Sequence, residues 1–245
     1  METISDTTAG RPKRVGHKGA AHLAPGNTLE AFAAALAHGV DMIEFDVLPE
    51  RLDGSGALLL AHDYTDASGR TPLLLEEALV HLRSPAYARI ELNVDLKLPG
   101  YEERVLDLLH AHDLARRALI STMEPVSLQR IRALAPDVRL GRSFPRVHSD
   151  PLRHPLKRWP AYALIAWWRR RLPGVIARQL EAGEIDALMC HWAFVGAKLQ
   201  RAVAGAGGDL FVWTVDDAAR IAELERLGVT GIITNDPRLF SSPTP

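Results

Sequence analysis

The sequence predicts a single α/β domain, a (β/α)8 barrel of the TIM type, and three observations carry that reading. Short aliphatic or β-branched runs alternate with helical stretches from residue 14 to residue 234, and sustained βαβα alternation builds a parallel sheet covered by helices. The 245 residues match the usual length of one such barrel. No Gly-rich dinucleotide fingerprint follows the first strand, which weakens the open doubly wound alternative.

The elements follow in order. RVGH (14–17) opens as a strand, and NTLEAF starts a helix over 27–38, with Asn27 or Thr28 as its cap and Glu30 in its first turn. DMIEFDV (41–47) and ALLLAHD (57–63) are strands separated only by the turn LDGSG. Further strands are expected at 89–97, 117–122, 138–144, 184–190, 209–215 and 230–234, with helices at 74–83, 101–113, 125–135, 194–205 and 217–227. A longer helix within 156–182 should be bounded by Pro160 and Pro173. Nine strands exceed eight places, so the barrel should be irregular around its second and third strands, with one of the nine a hairpin arm. Residues 1–12 read as a disordered lead without the apolar centre of a signal peptide, and 13–240 as one domain.

Composition narrows the function classes. The net charge is −1 and Cys190 is the single cysteine, so nothing global points to nucleic acid and no intrachain disulfide forms. A reducing, cytoplasmic setting is expected. Charge is uneven: Val138 to Arg178 holds nine Arg and one Lys against Asp150. A basic Trp/Arg-rich segment at about 142–178 in a near-neutral chain suggests a local anionic partner. Within it, KRWPAYALIAWWRRRLPG (157–174) suits either peripheral membrane contact or an ordinary barrel helix with a solvated Arg face.

Active sites of such barrels lie at the C-terminal strand ends. Polar residues there are His17, Glu44, Asp46, His62, Asp63, Asp95, Lys97, Ser121, Thr122, Arg142, Cys190, His191, the stretch from Trp213 to Asp216, Asn235 and Asp236. Glu44 and Asp46 are two apart on a strand and share a face, so a cation must lie between them. That cation is a metal, or a Lys or Arg of a buried ion-pair network such as Glu44 with Lys97. Asp95 and Lys97 repeat the spacing. Three carboxylates without a Cys ligand favour Mg²⁺ or Ca²⁺ over zinc. His17 and His62 suit a general acid and base. Cys190 and His191 face opposite ways and do not form a nucleophilic pair. Metal, two imidazoles and Lys together suit cleavage of an anionic ester.

HKG (17–19), PGNTLEAF (25–32), IEFDVL (43–48), AHD (61–63), VDLK (94–97), VWTVDD (212–217) and GVTGIITNDP (228–237) together resemble the glycerophosphodiester phosphodiesterase family. That family's pattern runs H-R-G, P-E-N-T-x-x-A-F, E-x-D-V, H-D, acid-x-Lys, W-T-V-N and G-[VI]-D-G-I-I-T-D-x-P. The resemblance implies a phosphodiesterase barrel of the phospholipase C-like type. It implies divalent-metal-dependent hydrolysis of small-molecule glycerophosphodiesters to an alcohol and glycerol 3-phosphate. It also implies His17 and His62 as acid/base pair, Glu44, Asp46 and Asp95 as metal ligands, and Lys18, Lys97 and Trp213 in the substrate pocket. Lys18 stands for the pattern's Arg, Gly26 for its Glu, Asp95 for a Glu and Asp216 for an Asn. The interval between AHD and VDLK is short and leaves little room for the cap that contacts glycerol in relatives. Two alternatives remain: a lysophospholipase D-like, membrane-peripheral enzyme, and a non-catalytic anion-binding barrel.

Overall fold

The structure, a computed structural model, describes residues 10–146 and 158–240. The strands are β1 (Lys13–Gly16), β2 (Met42–Pro49), β3 (Leu58–Leu59), β4 (Glu91–Leu96), β5 (Ala118–Thr122), β6 (Arg139–Phe144), β7 (Ala187–His191), β8 (Asp209–Trp213) and β9 (Gly231–Thr234). All but β3 are parallel neighbours, and β1 pairs with both β2 and β9, closing an eight-stranded barrel. β3 runs antiparallel to β2 and pairs Leu48 with Leu59. This is the irregularity expected around strands 2 and 3, but the arm is two residues long instead of the whole of 57–63. Past Leu59 the chain leaves β2: Leu60 N–H donates to Leu73 O (2.7 Å), and a helix begins after Asp63. The Asp63 carboxylate accepts from Asp66 N–H (2.9 Å) and caps this short helix, which sequence patterning misses.

The helices are α1 (Leu29–Ala37), α2 (Tyr64–Ser68), α3 (Leu75–Leu82), α4 (Glu102–Ala111), α5 (Pro125–Leu134), α6 (Arg158–Glu181), α7 (Ala197–Gly205) and α8 (Ala218–Leu227). Thr28, not Asn27, caps α1, accepting from Ala31 N–H at 3.2 Å. The outer core lies between strands and helices and includes Phe32, Phe45, Leu79, Val105 and Ile176. Each such side chain contributes about 1.5–3 kcal/mol. α6 departs from expectation because it runs through both prolines. Pro160 falls in the first turn, where its missing N–H costs little. Pro173 is interior, and its cost of about 3 kcal/mol is offset by burial of Leu172, Ile176 and Leu180 against the barrel. The part of the basic segment at 147–157 and residues 1–9 of the lead lie outside the described residues.

Inside the barrel, side chains stack in layers supplied by alternate strands. The N-terminal layer comes from the first residues of β1, β4, β6 and β8. Lys13 pairs with Glu91, and Arg139 bridges Glu91 (2.8 Å) and Asp209 (2.9 Å). Above it lies a small apolar core of Val15, Met42, Leu119, Ala187, Met189, Phe211 and Ile233, with Trp213 against it. Gly231 makes that core possible: a Cβ there would lie 2.5 Å from a Phe211 ring carbon. Every inward position beyond this layer is close to the C-terminal rim, and there the residues turn polar.

Candidate active site

Inward-facing positions recur every second residue along a strand, which puts Met42, Glu44 and Asp46 of β2 in line, and Glu91, Asn93, Asp95 and Lys97 along β4. β2 and β4 pair Asp46 directly with Asp95. Glu44, Asp46 and Asp95 are all buried, and one oxygen from each lies within 4.8 Å of the others. Ser121 of β5 donates its hydroxyl to Asp95 Oδ1 (2.6 Å) and accepts from Asn93 Nδ2 (2.8 Å).

Two ammonium groups offset this acid cluster. Lys97 Nζ lies 2.5 Å from Asp46 Oδ1 and 2.5 Å from Asp95 Oδ2. Of the two cations weighed from the sequence, the lysine is Lys97, and it bridges the two aspartates and makes no ion pair with Glu44 within 4.0 Å. Lys18 Nζ lies 3.2 Å from Asp46 Oδ2, and its backbone N–H donates to Glu44 Oε2 (2.7 Å). The carboxylates respond oppositely. Burial pushes Glu44 well above the usual range, and the charge of Asp46 adds to it. Burial also opposes ionisation of Asp46, but Lys97, His62 and Lys18 outweigh it and hold Asp46 well below. Burial works against the Lys97 ammonium, yet the aspartates hold its pKa above the ordinary lysine value.

The two imidazoles flank the cluster from different mounts. His17 follows Gly16 directly. A Cβ on Gly16 would lie 2.0 Å from Gly19 O, so only glycine lets the chain turn there. Lys18 and Gly19 continue the turn at φ 52° and 84°. His17 Nδ1 lies 2.6 Å from Asn235 Oδ1, and Nε2 lies 3.8 Å from Glu44 Oε2. Its side chain is 22% exposed. Loss of water around the ring, with the Lys18 charge next, lowers its pKa to about 4. His62 belongs to the arm after β3, is 52% exposed, and places Nδ1 3.3 Å from Asp46 Oδ2. Its backbone N–H donates to Asp66 Oδ2 (3.0 Å), and Arg70 holds both Asp66 (2.9 Å) and Leu60 O (2.8 Å).

Sequence reasoning misses Asn27 as a site residue. It is buried at φ 60°, donates Nδ2 to Asp46 Oδ2 (3.0 Å) and accepts from Asp46 N–H (3.0 Å). Its signal is its place in PGNT, just ahead of a threonine that already serves as cap. Trp213 reaches the rim edge-on to the His191 ring at 5.2 Å. The other rim candidates do other work. Arg142 donates to Gln179, Thr122 to Leu96 O (2.9 Å), and Asp236 holds Arg238. Cys190 is buried, and burial pushes its thiol up, away from nucleophilic use.

The donor set suits a hard divalent cation. It consists of three carboxylates, and Asp46 Oδ1 is buried without a well-directed hydrogen bond. Among the described residues, no helix is long and apolar enough to cross a membrane.

Comparisons with known proteins converge. The model of the glycerophosphoryl diester phosphodiesterase family matches residues 17–69 and 83–239. A glycerophosphodiester phosphodiesterase of Caldanaerobacter subterraneus is 25% identical, covering 91% of this chain and 93% of that protein. Among solved structures, a glycerophosphodiester phosphodiesterase of Parabacteroides distasonis superposes with TM-score 0.70 at 17% identity, covering 94% of each chain. A phosphodiesterase of Oleispira antarctica, solved with the product sn-glycerol-3-phosphate, superposes with TM-score 0.67 at 19% identity, covering 93% of this chain and 94% of that one.

Proposed function

The chain belongs to the glycerophosphoryl diester phosphodiesterase family and hydrolyses glycerophosphodiesters; we propose that it does so by acid–base catalysis between His17 and His62 over the Glu44–Asp46–Asp95 cluster. The observation that carries this reading is that both imidazoles reach the carboxylate cluster, at 3.8 Å from Glu44 and 3.3 Å from Asp46. The reading of the chain as a non-catalytic barrel falls away with family membership.

Glu44, Asp46 and Asp95 would hold a divalent cation, Mg²⁺ or Ca²⁺, which when bound neutralises charge on the phosphoryl oxygens. Lys97 and Lys18 bring ammonium charge to the same place. Lys18 does so as a point charge and not as a bidentate clamp. Trp213 offers an apolar wall to the substrate. His17, kept neutral by its surroundings, takes the proton from the attacking water as that oxygen bonds to phosphorus. His62, on the solvent side, gives a proton to the alkoxide as its bond to phosphorus breaks. The products are an alcohol and glycerol 3-phosphate.

On a soluble glycerophosphodiester, His17→Ala and His62→Ala should each lower kcat by about 10²- to 10⁴-fold, and Glu44→Ala should remove the response to added metal. Full turnover by the double histidine variant would end this reading. A second reading, peripheral contact with a lipid surface, is favoured by exposed Leu164 (55%) and Trp167 (47%), with the Arg171 guanidinium 5.3 Å over the Trp167 ring. Trp168 and Arg169 do not join that surface. Trp168 packs on Phe144, and Arg169 donates to Ala193 O (3.0 Å). Trp167→Ala with Arg171→Ala should slow hydrolysis of lysophospholipids in anionic vesicles while sparing the soluble substrate. Equal rates on both would refute it.

A further inference from the structure

We propose that Asp216 and Asn235 form a positioning relay that fixes which ring nitrogen of His17 carries hydrogen, so that Nε2 is the nitrogen available for proton transfer. The proposal rests on the acid–base role of His17 given above.

The contacts run inward from Asp216. Its Oδ1 accepts from the Asn235 backbone N–H (2.8 Å) and the Thr234 hydroxyl (2.9 Å), and its Oδ2 faces the Asn235 side-chain amide at 2.6 Å. A carboxylate accepts, so the atom facing it must be the amide nitrogen. The other end of the amide is then the carbonyl oxygen, and this is the end 2.6 Å from His17 Nδ1. A carbonyl oxygen only accepts, so Nδ1 must donate. A neutral imidazole carries one ring hydrogen. Nε2 therefore holds the lone pair, on the side of the ring that faces Glu44.

The same chemistry predicts what an exchange of the two residue types would do. Asn at 216 and Asp at 235 would again join an amide NH₂ to a carboxylate and turn an accepting oxygen toward the ring, whereas either single change leaves two amides or two carboxylates facing each other.

The test compares Asp216→Asn, Asn235→Asp and the double exchange, each loaded with metal, on a soluble glycerophosphodiester. Asp216→Asn frees the amide to flip, and should lower kcat about 10- to 100-fold with little change in KM. Asn235→Asp sets two carboxylates against each other and should also lose activity. The double exchange should recover most of the kcat lost in either single variant, and melting temperatures report folding separately. Undiminished kcat in Asp216→Asn, or a double exchange no better than the singles, overturns the relay. Ring ¹⁵N spectra of the unsubstituted protein, assigned with His17→Ala, should show hydrogen on Nδ1 of His17, and hydrogen on Nε2 overturns the relay whatever the rates. Activity surviving in His17→Ala instead overturns the acid–base reading and leaves the spectral result standing.

Discussion

Removing the Lys97 ammonium tests whether the acid cluster is the electrostatic centre of the molecule. Lys97 Nζ sits 2.5 Å from an oxygen of Asp46 and 2.5 Å from one of Asp95, and Asp46 is fully buried. Lys97→Met keeps the stem and deletes the charge. Deleting one partner of a buried ion pair costs about 3–5 kcal/mol, because the remaining charge stays desolvated. At about 2–4 °C per kcal/mol for a domain of this size, the melting temperature in EDTA should fall by roughly 6–20 °C. Without the ammonium, burial and mutual repulsion raise the carboxylate pKa values of the folded state above their unfolded values. The folded state then binds more protons, so the variant's deficit should be smaller at pH 5 and larger at pH 8. A divalent cation at 100 times its Kd restores about 2.7 kcal/mol. The assay is urea unfolding at both pH values, with EDTA and with Mg²⁺ or Ca²⁺. A variant as stable as its parent at pH 8 in EDTA would refute the argument that Lys97 neutralises this cluster.

Other expectations follow from neighbouring contacts. Asn27→Gly keeps the positive φ but loses both bonds to Asp46, and should cost about 1–3 kcal/mol; Asn27→Ala adds backbone strain and should cost more, both read by denaturant midpoint. His17 has a folded pKa of about 4 against about 6.5 unfolded, so the unfolded chain binds the extra proton between those values. Its contribution is fully present above pH 6.5 and lost as pH falls toward 4; His17→Asn should flatten that part of the stability profile, and an unchanged slope would contradict the burial of the ring. Gly231→Ala drives a Cβ against Phe211 and should cost about 1–3 kcal/mol by overpacking, while kcat per folded molecule changes little.

Much of the barrel is legible because its strands are short apolar runs set between amphipathic helices, and period-two spacing puts Glu44 with Asp46 on one face. The acid cluster and both imidazoles are legible for a related reason. A charged or titratable side chain at the end of an apolar strand is costly to bury unless a partner or ligand meets it, so each one marks a place where such a partner belongs. Asn27 is hidden, since a residue ahead of a helix reads as a cap, and only the positive φ and the reach to Asp46 reveal its other role. Lys97 shares a face with Asp95 by the same period-two spacing, but its pairing with Asp46 depends on inter-strand register, which local pattern does not carry. Pro160 and Pro173 read as helix ends, yet α6 contains both: Pro160 sits in the first turn, and at Pro173 burial of Leu172 and Ile176 outweighs one lost hydrogen bond.

The ion-paired layer at the start of β1, β4, β6 and β8 also decides how molecules come and go. With Met42, Leu119, Ala187 and Phe211 buried just above it, that end of the barrel is a closed floor. The working end is then a single doorway: substrate and water enter, and both products leave, on the same side. Glycerol 3-phosphate that lingers there blocks the next substrate, so its inhibition should be competitive in initial-rate measurements.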